Sequence, residues 1–249
     1  MGLEDIQVFY PWGKSGKERQ KELLEEAEHE RKIKKKFSIR DFPFVTCIII
    51  LLNVAIFVIF SPLDSYYLII SEWGFTPSRI ADLRNFLNFF TYMFLHLDLL
   101  HLLINMFVFF QFGCVCERRL GIINFLILYF ASGVGAALFH ALFNLGSEIP
   151  CIGASGAIFG VLASYALLFP KREVYLVVRF IYVKVPSIVG ISIVVFLEFF
   201  YTLIGINPHI AHTAHLGGVI AGILATAAMF PGKTADLLLD LLDALIPYT

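Results

Sequence analysis

"IPCIGASGAIFGV", residues 149–161, is an apolar run that carries a hydroxyl at Ser155, with glycines at 153 and 156. A membrane helix is stabilised by burying apolar area, so a serine placed here needs a partner inside the protein. The helix starting at Ser155 and ending near Phe169 is also too short for a hydrocarbon core of about 30 Å, which takes about 20 apolar residues to cross. Its start is therefore expected to lie recessed in the membrane, where only surrounding protein or a water-filled cavity tolerates free helix-end amides.

The rest of the chain agrees with that solvent. Of 249 residues, 58% are hydrophobic, 26 are Phe and only 16% are charged. Six stretches qualify or nearly qualify as spans, at 44–60, 93–115, 122–143, 154–170, 186–205 and 211–230. The expected fold class is all-α, a polytopic helix bundle in a lipid bilayer. Residues 1–42 read as a charged helical segment on the cytosolic side, 43–231 as a six-span membrane domain, and 232–249 as an amphipathic tail. The polar N-terminus is not read as a cleaved signal peptide. Cys47, Cys114, Cys116 and Cys151 sit in or beside spans and read as small apolar fillers. No metal, cofactor or nucleic acid is expected.

Charge sets the orientation. Lys32, Lys34, Lys35, Lys36 and Arg40 stand just before the first span and are expected to hold the N-terminus in the cytosol. Six spans then put the basic loops at 116–121 and 170–184, and Lys233, on the same side. The loop from about 62 to 92 falls outside, and Tyr67, Trp73 and Phe75 suit a segment lying in the interface. The expected location is the cell membrane, multi-pass.

Polar residues within the spans are few: His96, Asp98, His101, Asn105, His140, Ser155, Glu198, and His209, His212 and His215. Counting at about 1.5 Å per residue from the cytosolic helix ends puts Ser155 at ~22 Å, His215 at ~24 Å, His101 at ~22 Å and Asn105 at ~16 Å. These four share a layer in the outer half of the bilayer. His101 and Asn105 share a helix face, while Gly156 and Gly160 on one span, and Gly218 and Gly222 on another, form smooth strips that let backbones approach closely. The glycines favour packing whatever the function. If the strips meet, Ser155 and His215 come within hydrogen-bond reach, the arrangement of an activated nucleophile.

"HLDLLHLLINM" at 96–106, "GCVCERRLG" at 113–121, "GASG" at 153–156 and "AHLGG" at 214–218 together resemble the rhomboid intramembrane serine proteases in order and spacing, over residues from about 85 to 230. The resemblance implies a rhomboid-like six-transmembrane-helix bundle, a catalytic dyad of Ser155 and His215, and an oxyanion hole to which His101 and Asn105 contribute. Phe159 stands where many members stack a tyrosine on the catalytic imidazole. Leu87-Asn88 stands where members often carry a Trp-Arg pair. Glu117 and Arg119 match the family's ExR element and are expected to tie the end of the second helix to its following loop. The implied substrates are single-span transmembrane proteins, cut near their outer end.

The chemistry adds further expectations. His215 must take the Ser155 proton and later deliver it to the leaving amine. No carboxylate lies near His215 in sequence, so a dyad is expected, with the imidazole positioned by packing on Phe159. The oxyanion would meet the Ser155 N–H at a helix start, Gly153 would keep the approach to the hole open, and Gly156 and Gly218 would support the close helix contact. Glu198 is read first as a protonated structural acid and second as a residue lining the access route. His96 reads as a cavity-facing or structural polar group, with contact to substrate as the alternative, and His140 as structural, while His209 and His212 belong to a lid at 205–213. Two other functions stand beside the protease: a catalytically silent rhomboid-like binder of membrane proteins, which the presence of every reactive position opposes, and a transporter with broken helices at the midplane, which the gathering of polar residues in the outer half opposes.

Overall fold

The computed structural model describes residues 42–82, 86–178, 181–205 and 211–232. The expectations for the charged segment, for His209 and for the amphipathic tail lie outside these residues. The chain divides into two units, Met1–Phe42 and Pro43–Thr249, and the second holds every described helix.

In chain order these are α1 (Phe44–Phe60), α2 (Tyr66–Trp73), α3 (Asn88–Thr91), α4 (Leu99–Leu120), α5 (Ile122–Phe143), α6 (Ser155–Leu168), α7 (Ser187–Ile204) and α8 (His212–Met229), with a hairpin of β1 (Glu173–Val178) and β2 (Ile181–Pro186) between α6 and α7. Helices α4, α5, α7 and α8 are long and apolar enough to cross a membrane, while α1 and α6 are shorter apolar helices. The protein is thus a mainly helical, polytopic membrane protein. Leu51, Val58, Leu103, Phe107, Phe196 and Leu203 expose apolar side chains outward, as suits helices whose surroundings are hydrocarbon and whose backbone bonds are closed internally.

Local sequence explains where the elements begin and turn. The second span, expected from 93, starts as a helix only at Leu99, because the Asp98 carboxylate accepts the His101 N–H at 2.8 Å and caps it there. Tyr92–Phe94 form a tighter 3₁₀ turn, which puts His96 in the connection and not on the helix. Gly121, at φ +77, lets α4 stop and α5 start at once. The expected basic loop at 170–184 is instead largely an antiparallel hairpin, with Glu173 opposite Pro186 and Val178 opposite Ile181. Its β-branched run VYLVV…IYV favours that conformation. Ser187 ties the hairpin to α6: its hydroxyl donates to the Phe169 carbonyl at 2.6 Å, and its N–H to that of Arg172 at 2.8 Å.

Helix α6 lies at the centre, packed against α4, α5, α7 and α8. It is surrounded because the glycine strips do meet. A Cβ on Gly218 would run into the Gly156 carbonyl oxygen, and one on Gly222 into that of Gly160. Only hydrogen at those positions allows the α6 and α8 backbones to touch.

Glu117 holds the bundle together differently from expectation. Its carboxylate does not serve the loop after α4. It accepts the Val45 N–H and the Thr46 N–H, each at 2.8 Å, and the Thr46 hydroxyl at 2.7 Å. A buried anion thereby satisfies donors at the N-terminus of α1, where the free amides and helix dipole favour negative charge. Arg119 turns elsewhere, its guanidinium lying 5.4 Å from the Phe230 ring centroid at the end of α8.

Candidate active site

The segment leading into α6 is fixed from the other side of the chain. Phe75 and Cys151 exchange both backbone hydrogen bonds, at 3.0 and 2.8 Å, and the Gly153 N–H donates to the Tyr92 carbonyl at 2.9 Å. Tyr92 is itself pinned, its hydroxyl donating to the Gly133 carbonyl at 2.7 Å. Phe75, expected in the interface, is buried, its ring centroid 4.9 Å from that of Phe89; pairing with Cys151 draws it inward. Tyr67 and Trp73 remain exposed. Asn88, in the place of the family's arginine, is buried, and its amide donates to the carbonyls of Glu72 and Gly74 at 2.8 and 2.9 Å. A short amide thus secures the loop after α2.

Ser155 is the first residue of α6, and the first intrahelical bond there runs from the Ile158 N–H to the Ala154 carbonyl at 3.0 Å. The amides of that first turn have no acceptor within the helix. Gly153 adopts φ +115, and a Cβ on it would stand 2.9 Å from both Cε1 and Nε2 of His101 and 3.8 Å from the Ser155 Oγ. The His101 ring edge and the serine hydroxyl therefore border the same small space, which Gly153 leaves open. Asn105, one turn below His101, is buried and donates one amide proton to the His101 carbonyl at 2.8 Å; the amide group has a second. His96 is fully buried, and its ring meets that of His101 edge to face at 5.0 Å between centroids.

The imidazole of His215 comes from α8. Its Nε2 lies 2.9 Å from the Ser155 Oγ, and the Phe159 ring stacks on it at 4.4 Å between centroids and 14° between planes. Residues 60 positions apart meet because the Gly156/Gly218 contact brings the two helix starts together. Gly156 and Gly218 serve that close packing.

The structure corrects the expectation that no carboxylate serves this imidazole. Glu198, the one charged residue of α7, points its Oε2 at the Nδ1 of His215, 2.8 Å away, and at the Nδ1 of His212, 2.7 Å away. Sequence distance hid the contact, since Glu198 and His215 are 17 residues apart on different helices. The usable signal was the rarity of an acid inside an apolar helix at about the depth of the other polar groups. His212, expected on the lid, instead opens α8 and shares the face of His215. The ligating atoms of Glu198, His212 and His215 lie within 4.8 Å of one another, close enough for these three to hold one divalent ion. In this structure both Nδ1 atoms are already engaged by the carboxylate. His140 stands apart, its Nδ1 2.6 Å from the Thr213 hydroxyl, where it ties α5 to the first turn of α8.

Comparison with known proteins adds the lineage. The family model described as "Rhomboid domain" matches residues 83–232. The chain is 32% identical to RHOMBOID-like protein 1 of Arabidopsis thaliana over 136 residues, 54% of this chain and 32% of that protein. It is 31% identical to the rhomboid protease GluP of Bacillus subtilis over 138 residues, 54% of this chain and 24% of that one. With the rhomboid protease AarA of Providencia stuartii the identity is 27% over 215 residues, 74% of this chain and 72% of the relative. The matches to the first two relatives span about a third or less of their length.

Proposed function

Because the chain belongs to the rhomboid family, we propose that it is an intramembrane serine endopeptidase with Ser155 as nucleophile and His215 as its general base. The observation that carries this reading is the 2.9 Å contact between Ser155 Oγ and His215 Nε2. A serine hydroxyl is a weak nucleophile until a base at hydrogen-bond distance takes its proton. In the reaction the hydroxyl proton passes to Nε2 as the oxygen bonds to the substrate carbonyl carbon. The imidazolium then delivers that proton to the departing amine, and water, activated by the same imidazole, releases the acyl group.

Negative charge on the carbonyl oxygen would be met by the Ser155 N–H at the start of α6 and by the side chains of His101 and Asn105. The placement of the His101 ring beside Gly153, with Asn105 one turn below it, supports this role, and losing one such donor typically costs ~10²–10³ in rate. The open volume that Gly153 leaves is where the oxyanion would sit. Phe159 fixes the plane of the imidazole.

The substrate is a membrane protein whose helix unwinds near its outer end to offer an extended peptide. Helix-breaking residues at that place therefore favour cleavage. The positive loops support an orientation with the N-terminus in the cytosol and the site in the outer half of a cell membrane. The test is labelling with a serine-directed phosphonate. The wild-type chain is expected to react, and Ser155→Ala and His215→Ala are not; equal labelling of Ser155→Ala overturns the assignment.

A further inference from the structure

We propose that Glu198 is a positioning residue for His215, which makes the site a Ser155–His215–Glu198 triad instead of a simple pair. This rests on the protease reading above.

The tautomer of His215 decides which ring nitrogen can accept a proton. Two imidazole nitrogens converge on the single Oε2 of Glu198, which suits an ionised carboxylate, a group that only accepts hydrogen bonds, in place of the protonated acid expected from the sequence. That Oε2 stands 2.8 Å from the Nδ1 of His215 and 2.7 Å from the Nδ1 of His212, so both nitrogens carry their proton toward it. A neutral imidazole has one N–H, which leaves the Nε2 of His215 as a bare acceptor, 2.9 Å from the Ser155 hydroxyl. That is the only neutral form able to take the serine proton. Stacking on Phe159 cannot make this choice, because a flat ring contact is indifferent to which nitrogen bears hydrogen and to rotation within the plane. When the proton moves from Ser155 to Nε2, the imidazolium faces the carboxylate, which remains ionised and accepts no proton itself.

Glu198 is well placed to do this rigidly. It sits one turn before Tyr201 and Thr202 on α7, and the Tyr201 ring packs on His212 at 5.7 Å between centroids. Tyr201 therefore braces the His212 ring, whose Nδ1 engages the carboxylate while the carboxylate engages His215. The α7 helix, otherwise free of charge, gains a defined part in the chemistry through this one residue.

The test compares the full-length wild type with Glu198→Gln and Glu198→Leu on a membrane-helix substrate, with Ser155→Ala alongside. Glutamine keeps the size and an accepting oxygen but removes the charge; leucine removes both. In Glu198→Gln, kcat is expected to fall about 10²-fold with KM little changed, and the rate of phosphonate labelling to fall in parallel. Glu198→Leu is expected to fall further. Wild-type kcat in both variants, or a rise in KM at constant kcat, overturns the role of Glu198. Residual cleavage by Ser155→Ala instead overturns the protease reading itself, so the two failures are distinguishable. A measurement needing no Glu198 variant is the ¹⁵N spectrum of histidine-labelled wild type near neutral pH, with His215 assigned by its loss in His215→Ala. The Nδ1–H tautomer of His215 is expected; the Nε2–H tautomer overturns the proposal even if the Glu198 variants fail to fold.

Discussion

The Phe159 ring lies flat against the imidazole of His215, with 4.4 Å between centroids and 14° between planes. One turn of α6 separates Phe159 from Ser155, so a single helix supplies both the hydroxyl and the surface on which the His215 imidazole stacks. Aromatic pairs of this kind contribute about 0.5–1.5 kcal/mol beyond their buried area, so Phe159→Ala is expected to lower kcat about 2- to 13-fold. Phe159→Tyr keeps the ring face and is expected to cleave close to the wild-type rate. Steady-state kinetics on one substrate checks both.

Gly153→Ala adds a methyl group where the backbone has φ +115 and where the His101 ring would be 2.9 Å away. Backbone strain there is of order 1–3 kcal/mol, and the His101 ring has to move away from the Ser155 hydroxyl. The expected result is a loss of about 10² in kcat with a modest fall in melting temperature. Unchanged kcat would show that His101 and this opening take no part in catalysis.

Gly218→Ala is expected to act on the fold first. The new methyl group meets the Gly156 carbonyl, a backbone atom that cannot rotate away. Overpacking of a core typically costs ~1–3 kcal/mol, and the α6–α8 contact also sets the distance between Ser155 and His215. Thermal unfolding in detergent is expected to show a clear fall in Tm and activity to drop with it. Ile220→Ala, at an exposed position of the same helix, is expected to change Tm far less.

Glu117→Gln tests the buried carboxylate that caps α1. It accepts three hydrogen bonds from Val45 and Thr46, and bonds to charged groups contribute about 1.5–3 kcal/mol each. Glutamine has one accepting oxygen and turns an N–H₂ group toward at least one donor. The expected outcome is a lower Tm, while the folded fraction keeps its kcat, because Glu117 touches no reacting group.

Much of this arrangement could be read from the residues alone, for identifiable reasons. A helix has a fixed rise, so counting along it puts Ser155, His215, His101 and Asn105 in one layer, and the Ser155–His215 and Gly153–His101 contacts agree with that grouping. Glycines at 156, 160, 218 and 222 announce close approach because no other residue permits it. Helix starts were less legible: Leu95 continues the apolar pattern of the second span, but the Asp98 cap delays the helix. The hairpin at 173–186 is hidden behind basic residues that speak to topology, while its β-branched run carries the strand signal. Contacts across the bundle were the least legible. Nothing in a linear pattern says that the Glu117 carboxylate reaches α1, or that the Glu198 oxygen faces two imidazoles, since helix rotation about its axis is settled only by packing.

The most direct measurement incubates purified protein, in lipid, with a set of single-span membrane substrates and maps any cut by mass spectrometry, in parallel with Ser155→Ala and His215→Ala. The account predicts cleavage near the outer end of a substrate helix by the wild type, and none by either variant. Cleavage that persists in Ser155→Ala would contradict it.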